Sequence, residues 1–216
     1  MGIIEGTNAG FVTAAPNEDP GDFGFNFDFT AMGHRFTGPA DAATVTEIGW
    51  YCFNATEAAN YDVGIYTDAA GNDEPNEVVG DLAIDNAKGT GAGWKKVSGL
   101  SIPISGSNTI YWICVQLDDT ATATAMKYNN GAGAQKRAYI SSSSSLPSPW
   151  GTSNTKDNYI GAFYALYETA ATGTNTQVNV GDTWKECPAM KVNIGDTWKE
   201  VAGMQVNVGD TWKNVF

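Results

Sequence analysis

Residues 178–186 (VNVGDTWKE), 192–200 (VNIGDTWKE) and 206–214 (VNVGDTWKN) are near-copies of one another. Trp184, Trp198 and Trp212 recur every 14 residues, and Gly181, Gly195 and Gly209 keep the same step. A period held through three copies obliges the end of the chain to fold as a repeated unit. Within each copy a β-branched run meets Gly-Asp and resumes as Thr-Trp-Lys, the pattern of a tight hairpin in which glycine accepts the positive φ. Each copy then reads as two strands of about five residues, and the three together as a six-stranded meander. One tryptophan and a few aliphatic residues per copy are too little to close a core. The repeat is therefore expected to dock or self-associate through Trp184, Trp198 and Trp212, the alternative being a small independent sheet.

The remaining length suffices for one full-sized domain. A hydrophobic content of 42% and an aromatic content of 12% support a packed core. No long amphipathic helical window occurs, and the expected division is a β-sandwich head at 1–170, a linker at 171–175 and the triplicated segment at 176–216. From residue 176 onward four lysines face five acids, so nearly all of the net charge of −12 belongs to the head. An acidic head without basic clusters argues against nucleic-acid phosphates and anionic membranes as partners. No apolar run reaches membrane-spanning length. The amino terminus lacks a basic n-region and a hydrophobic h-region, so release in the cytosol of the producing cell, followed by a place in an assembly, is the expectation.

Strands are read at 22–29, where Phe23, Phe25, Phe27 and Phe29 alternate with polar residues, and at 44–53, 60–67, 77–84 and 93–97. Residues 109–117 (TIYWICVQL) are apolar on both faces, which predicts a central strand covered by the core on one side and by a loop or another subunit on the other. Weaker strands at 125–128 and 137–141 precede five consecutive serines, and 158–167 reads as one long aromatic strand closing the head. Short strands separated by Gly, Asp and Asn turns give an all-β, antiparallel sandwich.

Few residues offer chemistry. His34 has no second histidine to work with and reads as an ordinary polar residue. Cys52 and Cys114 lie in expected strands and read as buried thiols, with a buried pair as the alternative; Cys187 sits in the tail. The segment 67–77 gathers Asp68, Asp73, Glu74 and Glu77, oxygen ligands of the kind Ca²⁺ prefers, without the alternation of an EF-hand loop. It reads as a solvated hairpin tip with a structural Ca²⁺ as the minority alternative, and Asp118-Asp119 reads the same way. The five serines lack a base, and the acids sit at turn tips, so neither a nucleophile nor a glycosidase pair is expected. No cofactor is implied. Trp50, Trp94 and Trp112 fall in strands and read as core. Trp150, Tyr128 and Tyr139 are the candidates for glycan contact, Trp150 fitting loop anchoring equally well. The sequon at 54–56 reads as a turn unless a glycosylating host secretes the chain.

Residues 43–50 (ATVTEIGW), 61–68 (YDVGIYTD), 93–97 (GWKKV), 109–113 (TIYWI) and 146–150 (LPSPW) resemble a jelly-roll sandwich family. That family recurs in secreted bacterial proteins and in tailed-phage structural proteins as a carbohydrate-binding-like module. The resemblance covers roughly residues 30–168, and the tail resembles short repeats at the ends of phage virion proteins. Together they imply a non-catalytic virion surface protein of decoration, fibre or spike type. Its expected partners are other copies of itself, a trimer being the guess, other virion proteins and host glycans. The alternative is a carbohydrate-binding module of a secreted, extracellular system.

Overall fold

The computed structural model describes the backbone of residues 2–21, 23–27, 30–52, 60–87, 91–117, 124–130 and 136–169, and of six short strands between 176 and 214. Side chains are described for 2–21, 30–52, 61–84, 91–116 and 136–169. The expected linker 171–175, Asp118-Asp119 and the sequon lie outside the described residues. The chain divides into two compact units, Met1–Ala170 and Ala171–Phe216. Every described element of both is a strand, and no described helix is long and apolar enough to cross a membrane.

The first unit is built on two main sheets. One has four strands in the order β1 (Gly10–Val12), β13 (Phe163–Thr169), β4 (Ala43–Cys52) and β7 (Gly93–Ile104). The other has six, ordered β11 (Thr155–Asp157), β10 (Arg137–Ser141), β3 (Thr30–Thr37), β8 (Ile110–Leu117), β5 (Asn60–Asp68) and β6 (Pro75–Ala87). A three-stranded sheet of β12 (Tyr159–Gly161), β9 (Thr124–Asn130) and β2 (Phe23–Phe27) accompanies them. The ladders are antiparallel except that of β1 with β13, which is parallel and departs from the all-antiparallel expectation. The alternating Phe segment forms β2, but its side chains lie outside the described set.

Strand alternation sends one face of each main sheet into a common core. Val45, Ile48 and Trp50 of β4 and Phe163 and Ala165 of β13 meet Met32 and Phe36 of β3, Tyr61, Val63 and Ile65 of β5, and Tyr111, Ile113 and Val115 of β8. The result is a two-layered, sandwich-like all-β unit. Cys52 and Cys114 are both buried, and neither is disulfide-bonded.

The outer face of the six-stranded sheet has a second apolar cluster of Ala31, Tyr66, Trp112, Cys114, Ala138, Leu146 and Trp150. Central β8 is therefore covered on both faces, and of the two expected covers the loop is the one present. Room for the large rings comes from glycine. Gly33 and Gly64 flank Cys114 in the ladder. A Cβ on Gly33 would stand 2.8 Å from the Cys114 sulfur, and one on Gly64 would stand 2.4 Å from Leu82.

Candidate functional site

The acidic segment after β5 is tied down by arginine. Arg35 donates from Nε and Nη2 to both Asp68 carboxylate oxygens at 3.0 and 2.9 Å, and its Nη1 lies 3.1 Å from Asp73 Oδ1. Trp112 Nε1 adds a 2.7 Å hydrogen bond to Asp68 Oδ1. Glu74 is buried and accepts the Ser153 backbone N–H at 3.0 Å. Glu77 is exposed, and its backbone N–H donates to Thr67 Oγ1. Asp68 and Glu74 thus depart from the expected solvated tip, whereas Asp73, its side chain 43% exposed, and Glu77 stay on it. Fork geometry between guanidinium and carboxylate directs Asp68 and Asp73 toward a cation the chain itself supplies. No cluster of three metal-capable side chains occurs among the described residues.

The glycan candidates fare unevenly. Trp150 is 1% exposed, stands edge-on to Tyr66 with ring centroids 5.4 Å apart, and donates Nε1–H to Ser153 Oγ at 2.9 Å. It anchors a loop, and glycan contact through it is corrected. Tyr139 is half-buried, packs on the main core and lies under the Arg137 guanidinium, 5.3 Å from its centroid. The side chain of Tyr128, in β9, lies outside the described set.

An aromatic face that sequence reasoning passed over lies on the outside of the four-stranded sheet. Tyr51 and Gly49 have the opposite parity to the core residues Ile48, Trp50 and Cys52, and they pair with Trp94 and with Lys96 and Tyr164. Tyr51 and Trp94 meet edge to face at 5.3 Å, and Trp94 and Tyr164 at 5.2 Å. Trp94, expected in the core, is half-buried and packs against the main core from its margin; its Nε1–H reaches the Glu18 carbonyl at 3.0 Å. Tyr164 fits because Gly49 lacks a side chain, a Cβ there standing 2.5 Å from the ring. Its hydroxyl donates to Glu47 Oε1 at 2.5 Å, Ser98 donates to Oε2, and Lys96 lies 3.3 Å away. Burial raises the Glu47 pKa, yet these donors outweigh it and hold the carboxyl below its ordinary value. The Tyr164 hydroxyl is pushed up by burial and by that same carboxylate.

His34, read from the sequence as an ordinary polar residue, has a core environment. It is fully buried in β3, edge-on to Phe163 at 4.5 Å, and its Nδ1 accepts the Gly161 N–H at 3.1 Å. That bond requires the neutral ring with its proton on Nε2, which has no hydrogen-bond partner among the described residues. Burial first, then the positive charge of Arg137, holds its pKa well below the usual value, with the Tyr159 backbone partly opposing. Arg137 is itself paired with Asp157, Nε to Oδ1 at 3.0 Å.

No family model, no curated protein and no solved structure matches this chain.

In the second unit each copy of the repeat forms its own antiparallel pair: β14 (Thr176–Asn179) with β15 (Trp184–Cys187), β16 (Lys191–Ile194) with β17 (Thr197–Glu200), and β18 (Gln205–Val208) with β19 (Thr211–Asn214). The partners Asn179↔Trp184, Asn193↔Trp198 and Asn207↔Trp212 shift by 14 residues on both strands from copy to copy. The described strands thus form three separate two-stranded sheets of equal register, in place of the expected six-stranded meander. The side chains of Trp184, Trp198 and Trp212, the residues expected to dock, lie outside the described set.

Proposed function

We propose that this protein is a non-catalytic structural component displayed on a particle surface, a virion protein of decoration, fibre or spike type. Its head would be a jelly-roll-type sandwich and its repeated tail the attachment. The observation that supports this reading is the state of the tail, where three equivalent hairpins of four-residue strands share no ladder among the described residues. Two-stranded units of this size are marginal in water and gain stability from a surface that covers them. The first unit, by contrast, closes a core of its own. Deleting 176–216 is expected to leave a folded head that no longer enters particles formed in the producing cell. Incorporation of the truncated chain at the full-length level would remove the attachment role.

A second reading, glycan binding by an extracellular module, is favoured by the half-buried Trp94 and Tyr51 rings beside Glu47, Ser98 and Lys96. Aromatic faces next to charged and hydroxyl groups suit sugar rings, which carry apolar and polar sides. On this reading a glycan array shows binding that Trp94→Ala abolishes, and an array without binding counts against it.

A further inference from the structure

We infer that the partner of each tail is the tail of a second copy of this chain, matched hairpin against hairpin. The inference rests on the attachment reading above and names what the repeats attach to first.

Equal register puts equivalent residues at equivalent ladder positions in every copy. Each copy sets a Trp opposite an Asn and, one position along, a Lys opposite a Val: Val178↔Lys185, Val192↔Lys199 and Val206↔Lys213. Alternate positions belong to opposite faces of a strand, so every hairpin has the Trp position on one face and the Val position on the other. Neither set of alternate positions is purely polar in sequence, and among the described residues no ladder joins the outer edges of these hairpins.

A dissimilar partner would have to present three like sites at the spacing of the repeat. A second tail presents them by construction, because identical chains bring identical patches to a symmetric contact. Charge points the same way. The head carries nearly all of the net −12, while the tail balances four lysines against five acids. Head surfaces of like charge repel, whereas tail segments close to neutrality carry little such penalty.

Sedimentation of the full-length chain tests this. The expected result is a mass of at least twice 22.9 kDa at micromolar concentration. Trp184→Ala, Trp198→Ala and Trp212→Ala should each weaken association by about tenfold or more, as central aromatic anchors do. The three effects should agree within about threefold, because the copies are equivalent. The triple variant should sediment as a monomer whose head unfolds at an unchanged urea midpoint. Excising one full period, 190–203, keeps the remaining copies in phase and should leave weaker but measurable association, which separates loss of a contact from collapse of the tail. A full-length chain that stays at 22.9 kDa yet still enters particles overturns self-pairing and leaves attachment standing. Failure of both overturns the attachment reading as well. Dependence on one tryptophan alone overturns the hairpin-by-hairpin match.

Discussion

Replacing Trp150 with alanine is expected to destabilise the head by about 3–5 kcal/mol, the range for truncating a large buried aromatic side chain. The indole is the centre of the cover over the outer face of the six-stranded sheet. The loop that carries it is fastened at several points: Gln116 Nε2 to the Ser143 carbonyl at 2.9 Å, the Leu146 N–H to Asp62 at 3.0 Å, and the Tyr66 hydroxyl to the Pro147 carbonyl at 2.7 Å. The Trp150 backbone N–H adds a bond to the Asn76 carbonyl at 2.9 Å. Only Trp150 and Leu146 put apolar mass from this loop onto Tyr66, Trp112 and Cys114. Loss of the ring both opens a cavity and leaves Ser153 Oγ without its donor. Urea denaturation measures the energy, and Cys114 reports the location. Burial pushes that thiol well above its ordinary pKa and keeps it inert. In a Cys187→Ser background, a thiol reagent should modify Cys114 in the variant under native conditions while Cys52, in the main core, stays protected. A loss below about 1 kcal/mol with Cys114 still inert would show that something other than this loop shields the sheet.

The second large effect is acid lability, and it should come in two steps. His34 is held neutral in the fold, with a pKa well below the 6.5 it has when exposed. An unfolded chain therefore binds a proton that the folded one refuses, and stability falls as pH drops below about 6.5 until the folded value is passed. Glu47 acts lower down. Its folded pKa lies below the ordinary 4.5, so the stabilisation it supplies is intact above that value and is lost as pH falls through the folded one. Denaturation followed by far-ultraviolet circular dichroism should give a lower midpoint at about pH 5.5 than at about pH 7.5, and a further drop below pH 4.5. His34→Gln, which cannot titrate yet retains an acceptor for the Gly161 N–H, should flatten the first step and leave the second. Equal stability of the native chain at the two higher pH values would contradict a buried neutral imidazole. At the alkaline end, Tyr66 and Tyr164 have folded pKa values raised by burial, so their contribution is lost as pH climbs past about 10.

Much of this architecture is written locally. The two-sided apolar run at 109–117 corresponds to central β8, dry on both faces. Alternation at 60–67 places Tyr61, Val63 and Ile65 of β5 in the core without announcing that Asp62 and Tyr66 on its other face are buried as well. The tail pairs within each copy for an equally local reason. Ile194 and Thr197 flank a two-residue Gly-Asp connection, and a connection that short leaves one register available.

Other features were not legible. The run 158–167 reads as one strand but divides between β12 and β13, which belong to different sheets; Gly161 ends the first and Ala162 breaks the run. Strand β7 continues beyond the expected 93–97 to Ile104, past a Gly99 with φ of 79° and a register shift opposite Val45 and Glu47. His34 looked polar in a short polar stretch, yet it lies inside because Met32 and Phe36 share its parity and Arg137 lies across the ladder.

By itself, then, the sequence determined where most of the strands lie and how each terminal copy pairs within itself, since these depend on neighbours a few bonds away. Tertiary structure decided that Trp150 is an anchor, that Asp68 belongs to Arg35 and that Trp94 joins an aromatic face with Tyr51 and Tyr164. The physical reason is that burial and ion pairing are set by what lies across a gap between sheets and loops far apart along the chain. A period of two residues says that the two faces of a strand differ, and nothing in it names what will cover them.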